Sequence, residues 1–482
     1  MHASATNPAS MGNTTPGAIE GWRRISIAHR RARQSVMTRS LMTVLLASGL
    51  LLAGAGAALR AQSGSWLDDF TGSFGSQPSG KRQQKEGSPD ERRAERAEPA
   101  SVELRRDDIP LLGDDTRQAL ETAVLRYQDI VAAGGWRTVN PGGRTIKSGD
   151  EDDRIPAIAR RLLVSGDLHN HQNRTVPTTL NGELEAAVQT FQSRHGLRPT
   201  GQVDRTTVQM MNISADMRLA QLRISLVRTR ELAAQVGNVE RYILVNIPAF
   251  ALEAVERTSV AQRHRVIAGR AERQTPGVKA FIKNINFFPF WHVPESVAHL
   301  DLIPKVKKEP DYLTKEKIRV LKTYKGEEVP VETIDWNNPV VQTYKFQQDP
   351  GPQNALGLVR IDMPNEHTVY MHDTPMKQLF GQRGRSYSAG CVRVDGVFDL
   401  VAWILKDVPS MDRAQIDVIL RDGNPVDIPL PRPVPVHFVY QTAWASADGR
   451  VDFRPDLYAR DGIQGIVASY STEGMPSQAL AP

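Results

Sequence analysis

Val369-Tyr370-Met371-His372-Asp373-Thr374-Pro375, followed by Ser386-Tyr387-Ser388-Ala389-Gly390-Cys391-Val392-Arg393-Val394, is the stretch on which the reading of this chain turns. A short β-type run ends at His372, and a second carries Cys391 nineteen residues later. A thiol becomes a strong nucleophile only as thiolate, which requires a neighbouring base or cation. A loop of this length can return and set the imidazole of His372 beside the sulfur. Gly390 permits a tight turn whose backbone N–H groups face an attacked carbonyl, as in an oxyanion hole. Arg393 lies two residues on, on the strand face of Cys391, placed to hold a substrate carboxylate or to stabilise the thiolate. From spacing alone a catalytic Cys–His pair and a buried structural cysteine stand level. A papain-like site is excluded, because its cysteine opens a helix with the histidine far downstream. Here the helix begins only after Asp395.

Outward from the motif, Val397, Leu400, Val401 and Ile404 form the inner stripe of that helix, with Asp395 placed to cap it. Strand-type runs surround it at Tyr242 to Ile247, Val266 to Ala268, Val340 to Tyr344, Leu358 to Ile361, Thr368 to Met371 and Val436 to Tyr440. Ala298 to Glu332 is rich in Lys and Glu with little alternation, the mark of a lid or insertion.

Before Arg241 the periodicity is helical. Leu120, Ala123, Val124 and Tyr127 fall on one helical face, ended by Gly134-Gly135-Trp136. Leu184, Ala187, Val188 and Phe191 form a second stripe that stops at Gly196, and Asp204 caps a third helix burying Val208 and Met211. The fold class is therefore α+β, a small helical module followed by a mostly β domain. Asp167, His169 and His171 imitate a metal cluster, but no fourth ligand accompanies them, and no metal or other cofactor is expected.

Gln62 to Asp108 is too polar to offset its ordering entropy and reads as a tether. Ahead of it, Arg39 and the apolar run Leu41 to Leu59 form an export signal, with small residues for cleavage at Ala55-Gly56-Ala57 or Leu59-Arg60-Ala61. The run nearly reaches the roughly 20 residues of a bilayer span, so a cleaved signal and an inner-membrane anchor both fit. The expected parts are a cytoplasmic segment or mis-assigned start at 1–36, signal or anchor at 37–61, and a tether at 62–112. They continue with a helical scaffold at 113–238, a catalytic domain at 239–462 with an insertion about 296–340, and a tail at 463–482. The balance of 60 basic against 54 acidic residues, +6 over 482, lacks the dense basic stripe of a nucleic-acid binder. The one cysteine of the chain, Cys391, excludes an internal disulfide. An exported protein that keeps an unpaired thiol exposes it to oxidation, which suggests that the sulfur has a task.

The signature Ser388-x-Gly390-Cys391-x-Arg393 with His372 upstream resembles that of the L,D-transpeptidase catalytic domain. The His-Asp-Thr-Pro form at 372–375 is similar to the large Gram-negative periplasmic subfamily with a peptidoglycan-binding-like domain and a capping insertion. The resemblance extends through Gly134-Gly135-Trp136, Phe191-Gln192-x-x-His195-Gly196-Leu197, Gln274-Thr275-Pro276, Phe288-Pro289-Phe290-Trp291, Asn354-Ala355-Leu356-Gly357, Thr442-Ala443-Trp444 and Phe453-Arg454-Pro455-Asp456. Many family members carry His where this chain has Ala389. The resemblance implies that His372 takes the proton of Cys391, which attacks the third residue of a peptidoglycan stem and expels the terminal D-Ala. A neighbouring stem amine then resolves the thioester as a 3→3 cross-link. Carbapenem-type β-lactams are implied as covalent inhibitors and the periplasm as the compartment. Gly390, Ser388 and Tyr370 would support the site, and Arg393 and Trp291 would contact substrate. The same dyad also serves hydrolysis of stems or attachment of a protein to the wall, while a non-catalytic wall-binding scaffold would leave the thiol idle.

Overall fold

The computed structural model describes residues 104, 107–169, 177–237 and 239–465. Five helices form the first module: α1 (Asp114–Ala132), α2 (Ile155–Ser165), α3 (Gly182–Arg194), α4 (Arg205–Asn212) and α5 (Ala215–Val236). Local chemistry sets their starts. Asn181 accepts from Leu184 N–H, Asp204 from Thr207 N–H and Ser214 from Met217 N–H, each satisfying a donor that the first helical turn leaves over. The stripes expected on α1, α3 and α4 are buried, and α2 adds Ile155, Ile158 and Leu162 to the same core as Phe191.

The β domain comprises β1 (Arg241–Asn246), β2 (Ala251–Glu256), β3 (Ser259–Gly269), β4 (Val278–Phe287), β8 (Val359–Asp362), β9 (Met371–His372), β10 (Ser386–Ser388), β11 (Val392–Val394) and β12 (Val426–Val439). Their order is β10-β3-β11-β9-β8-β4-β12-β1-β2, and β2 pairs in turn with β3, so the sheet closes on itself. Closure depends on the length of β3, which pairs with β2 through Arg265 and then with β11 and β10 from Val266 onward. β1 explains the unbroken apolar run at 242–247. Ile243 and Val245 face the main core, whereas Tyr242 and Leu244 meet Val236, Leu111 and Trp444 on the other side. The helices α7 (Val397–Leu405), whose stripe packs into the main core, and α8 (Arg413–Asp422) follow β11. After β12 the chain returns to the helices, where β13 (Ala443–Ala445) and β14 (Val451–Phe453) share a core with Leu120, Tyr127 and Leu222.

Between β4 and β8 lies the insertion. It contains helical turns at Glu295–Val297 and Ala298–Leu302, the helix α6 (Ile303–Lys308), and an antiparallel sheet of β5 (Trp291–His292), β7 (Lys345–Gln348) and β6 (Ile318–Leu321). It has its own core, including Trp291, Leu302, Val306, Ile318 and Phe346, against which Tyr370 and Ala389 pack. That contact lays the insertion over the motif.

Three expectations are corrected. Val340 to Tyr344 is not a strand. Asn338 caps Val340 N–H and Pro339 opens a 3₁₀ turn, so β-branched content yields to turn chemistry. The strand expected from Thr368 shrinks to Met371–His372, because Thr368 takes φ +53 and the Asn365 side chain gathers Met363 O and Val369 O into a turn. Asp395 does not cap α7. Its carboxylate pairs with Arg265, and Gly396 stands at the helix start with φ +61 and no side-chain cap. Among the described residues no helix is long and apolar enough to cross a membrane. The run Leu41 to Leu59 lies outside them.

Candidate active site

β9 and β11 are parallel neighbours, with Val392 opposite Met371 and Arg393 opposite His372. Side chains alternate along a strand. Met371, Val392 and Val394 therefore enter the main core, while His372 and Arg393 share the other face; Cys391, just before β11, touches that core, and Tyr370 packs against both it and the core of the insertion. This register brings Cys391 level with Tyr370, whose carbonyl accepts from Val392 N–H at 3.0 Å, and two residues along the strand from His372.

Each side chain is held. His372 is buried, and its Nδ1 lies 2.5 Å from Asp373 O. A carbonyl only accepts, so Nδ1 carries the proton and Nε2 is the basic nitrogen. The rings of Tyr370 and His372 are 5.7 Å apart and inclined at 67°. Burial pushes the Cys391 thiol up to about 11, against hydrogen bonds from Tyr370 and the charges of Arg393 and Arg360. Burial likewise raises the Tyr370 phenol well above its usual value, so Tyr370 stays a donor toward sulfur. In the closed protein the thiol is thus protonated, and its environment is poised to favour the anion once a base takes the proton.

The turn before Cys391 is built by two hydroxyls. Ser388 Oγ accepts from Gly390 N–H at 3.1 Å and donates to Cys391 O at 2.6 Å. Thr275 Oγ1 accepts from Gly269 N–H at 2.8 Å and donates to Gly390 O at 2.9 Å. Gly390 adopts φ +125, a conformation that L side chains rarely enter. Ser388 and Thr275 together fix where the sulfur points. In the sequence Thr275 stood out only within the Gln274-Thr275-Pro276 motif, with no role attached, and Arg360 gave no signal; they reach the site from the β3–β4 connection and from β8.

Two expected roles change. The Gly390 N–H turns inward to Ser388, so in this conformation Gly390 supplies the turn and not an oxyanion donor. Arg393 is 1% exposed, and burial lowers its guanidinium to about 10. In this conformation its charge acts on Cys391 beside it. Trp291, buried in the core of the insertion, lines a cavity together with Asp301, Tyr312, Gln348, Ala355 and Pro375. Asp373, next to the histidine, accepts from Leu358 N–H at 3.0 Å and pairs with Lys377, so it braces the 356–358 turn.

Elsewhere Asp167 is committed to Arg194 at 2.5 Å and to Ser165, His169 is exposed, and His171 lies outside the described residues. Among the described residues no group of three His, Cys, Asp or Glu side chains is arranged for a metal. His195 stacks on Phe191 at 3.9 Å within the helical core.

Residues 240–428 match the family described as L,D-transpeptidase catalytic domain, and residues 155–211 match one described as "Putative peptidoglycan binding domain". A protein of Haemophilus influenzae named "Putative L,D-transpeptidase" is 28% identical over 295 residues, covering 61% of this chain. The match spans 56% of that relative's length. Among solved structures, an L,D-transpeptidase segment from Xylanimonas cellulosilytica is 12% identical, covering 62% of this chain and all of that one, with a TM-score of 0.20. One from Stackebrandtia nassauensis is 11% identical, covering 63% and 97%, with a TM-score of 0.22. Residues 240–428 carry a sheet-rich domain of the L,D-transpeptidase catalytic type, preceded by a helical module of the peptidoglycan-binding type.

Proposed function

We propose that the protein is a cysteine L,D-transpeptidase that forms 3→3 peptidoglycan cross-links through a thioester on Cys391. One observation carries the reading: two paired strands bring Cys391, Tyr370, His372 and Arg393 together, beneath an insertion whose core meets Tyr370 and Ala389. In the first step His372 Nε2 takes the thiol proton and the sulfur attacks the carbonyl of the third stem residue. The C–N bond to the terminal D-Ala breaks, and that proton passes to the departing amine. In the second step the side-chain amine of a neighbouring stem attacks the thioester, returns a proton to His372 and restores the thiol. Two acyl transfers replace one difficult amide exchange. Tyr370 and Arg393 hold negative charge on sulfur between the steps.

The apolar run at Leu41 to Leu59 supports export to the periplasm, where the substrate lies, either freed from the signal or anchored by it. The helical module supports contact with the same polymer. The decisive experiment incubates the purified protein with tetrapeptide-bearing muropeptides and reads products by mass spectrometry. A 3→3 dimer that disappears in Cys391→Ala is expected, as is a covalent carbapenem adduct on Cys391. Release of D-Ala without any dimer would replace transpeptidation with hydrolysis, and absence of an acyl-enzyme would remove the catalytic reading.

A further inference from the structure

Asp301, in the turn Ala298–Leu302 of the insertion, lines the cavity next to Trp291 and Pro375. Its carboxylate sits between two guanidinium groups, 3.3 Å from Arg270 and in contact with Arg273. Both arginines come from one tight turn directly after β3, closed by Arg273 N–H to Arg270 O at 3.0 Å. This turn is coupled to the nucleophile: Arg270 N–H donates to Ser388 O at 3.0 Å, and Thr275 Oγ1 donates to Gly390 O. Two preformed cations therefore face a cavity-lining carboxylate, on a turn hydrogen-bonded to the Ser388–Gly390 segment that leads into Cys391.

The reaction itself calls for such a seat. If the transpeptidase reading holds, the bond that breaks lies one residue, about 3.8 Å of chain, from a free terminal carboxylate. That anion must be met close to the thiol. Arg393 stands beside the sulfur as a buried cation, whereas Arg270 and Arg273 contact a carboxylate that lines the cavity. Guanidinium groups bind carboxylates through charge-assisted hydrogen bonds of fixed geometry.

We propose that Arg270 and Arg273 form the seat for the terminal carboxylate of the donor peptide, and that Asp301 occupies it until the donor arrives. Binding then exchanges one carboxylate for another. The insertion loses its tie to the turn after β3 only when a donor with a free C-terminus is present, which couples movement of the insertion to recognition. A donor without the terminal charge gains entry but does not displace Asp301.

The test compares two donors, a tetrapeptide stem ending in the free acid and the same stem ending in an amide, through acyl-enzyme formation and KM. The wild-type protein is expected to prefer the acid. The double variant Arg270→Gln, Arg273→Gln should lose that preference by roughly tenfold or more, the scale of a hydrogen bond to a charged group. Thermal melting and alkylation of Cys391 would confirm that the double variant remains folded. Asp301→Asn should lower KM for the acid donor several-fold relative to the amide donor. An acid-to-amide ratio unaltered by the double variant would overturn the proposal while the transpeptidase reading stood. So would an Asp301→Asn variant that weakens both donors equally. Wild-type protein that forms no acyl-enzyme with either donor would remove the parent reading and this proposal with it.

Discussion

Arg393→Met isolates the charge that the strand register sets beside the nucleophile. Arg393 and Cys391 lie two residues apart on one strand face, a spacing of about 7 Å. Unit charges at about 7 Å and an effective dielectric of about 20 attract by about 2.4 kcal/mol, roughly fiftyfold in an ionisation constant. The thiol already stands at about 11 because it is buried. Removing the cation adds to that displacement, since a nearby positive charge favours thiolate and its loss favours thiol. Cys391 is the one cysteine of the chain, so alkylation by iodoacetamide reports on it alone. Well below the midpoint the rate follows the thiolate fraction. At each pH between 7 and 9.5, Arg393→Met should react roughly 10- to 50-fold more slowly than wild type, with parallel profiles. Arg393→Lys, which keeps a charge, should recover most of the rate. The substitution also removes a buried cation whose own desolvation is costly, so melting is not expected to collapse. Superimposed alkylation profiles with near-ultraviolet dichroism unchanged would refute an electrostatic role for Arg393.

Two further substitutions test the frame around the site. Arg194 and Asp167 form a pair whose side chains are 4% and 2% exposed, so Arg194→Met leaves a carboxylate buried without its cation. A loss of about 3–5 kcal/mol is expected, seen as a fall of roughly 10 °C in thermal melting, and an unchanged Tm would contradict the assignment. Gly357 takes φ +61, and an added Cβ would lie 2.4 Å from Asp373 Oδ2. Gly357→Ala should therefore displace Asp373 and with it the adjoining His372. It should reduce kcat/KM more than tenfold at a stability cost of about 1–3 kcal/mol, and undiminished turnover would show that His372 does not depend on this brace.

What was legible in the sequence, and what was not, divides along the range of the interactions. Helical stripes such as Leu184, Ala187, Val188 and Phe191 are local periodicities, and caps such as Asp204 act over three residues, so both can be read without knowing the fold. Val340 and Val341 misled because β-branched residues carry a strand signal even where Asn338 and Pro339 have started a turn. Asp395 misled for the opposite reason: its position suits a cap, but Arg265, brought alongside by the pairing of β3 with β11, offers a charged partner. The same distinction runs through the site. His372 and Cys391 stand on adjoining strands and are recognisable as residue types that do chemistry. Their surroundings are not, because Thr275, Arg360 and the Arg270, Arg273 and Asp301 group arrive from separate segments. A closed sheet makes this unavoidable. It brings to one face side chains whose partners are determined by strand order, and strand order here depends on a single long strand changing neighbours at Val266. The polar groups that govern a buried thiol are therefore the part of the molecule least visible to any reading confined to neighbours in sequence, and the part where substitution is most informative.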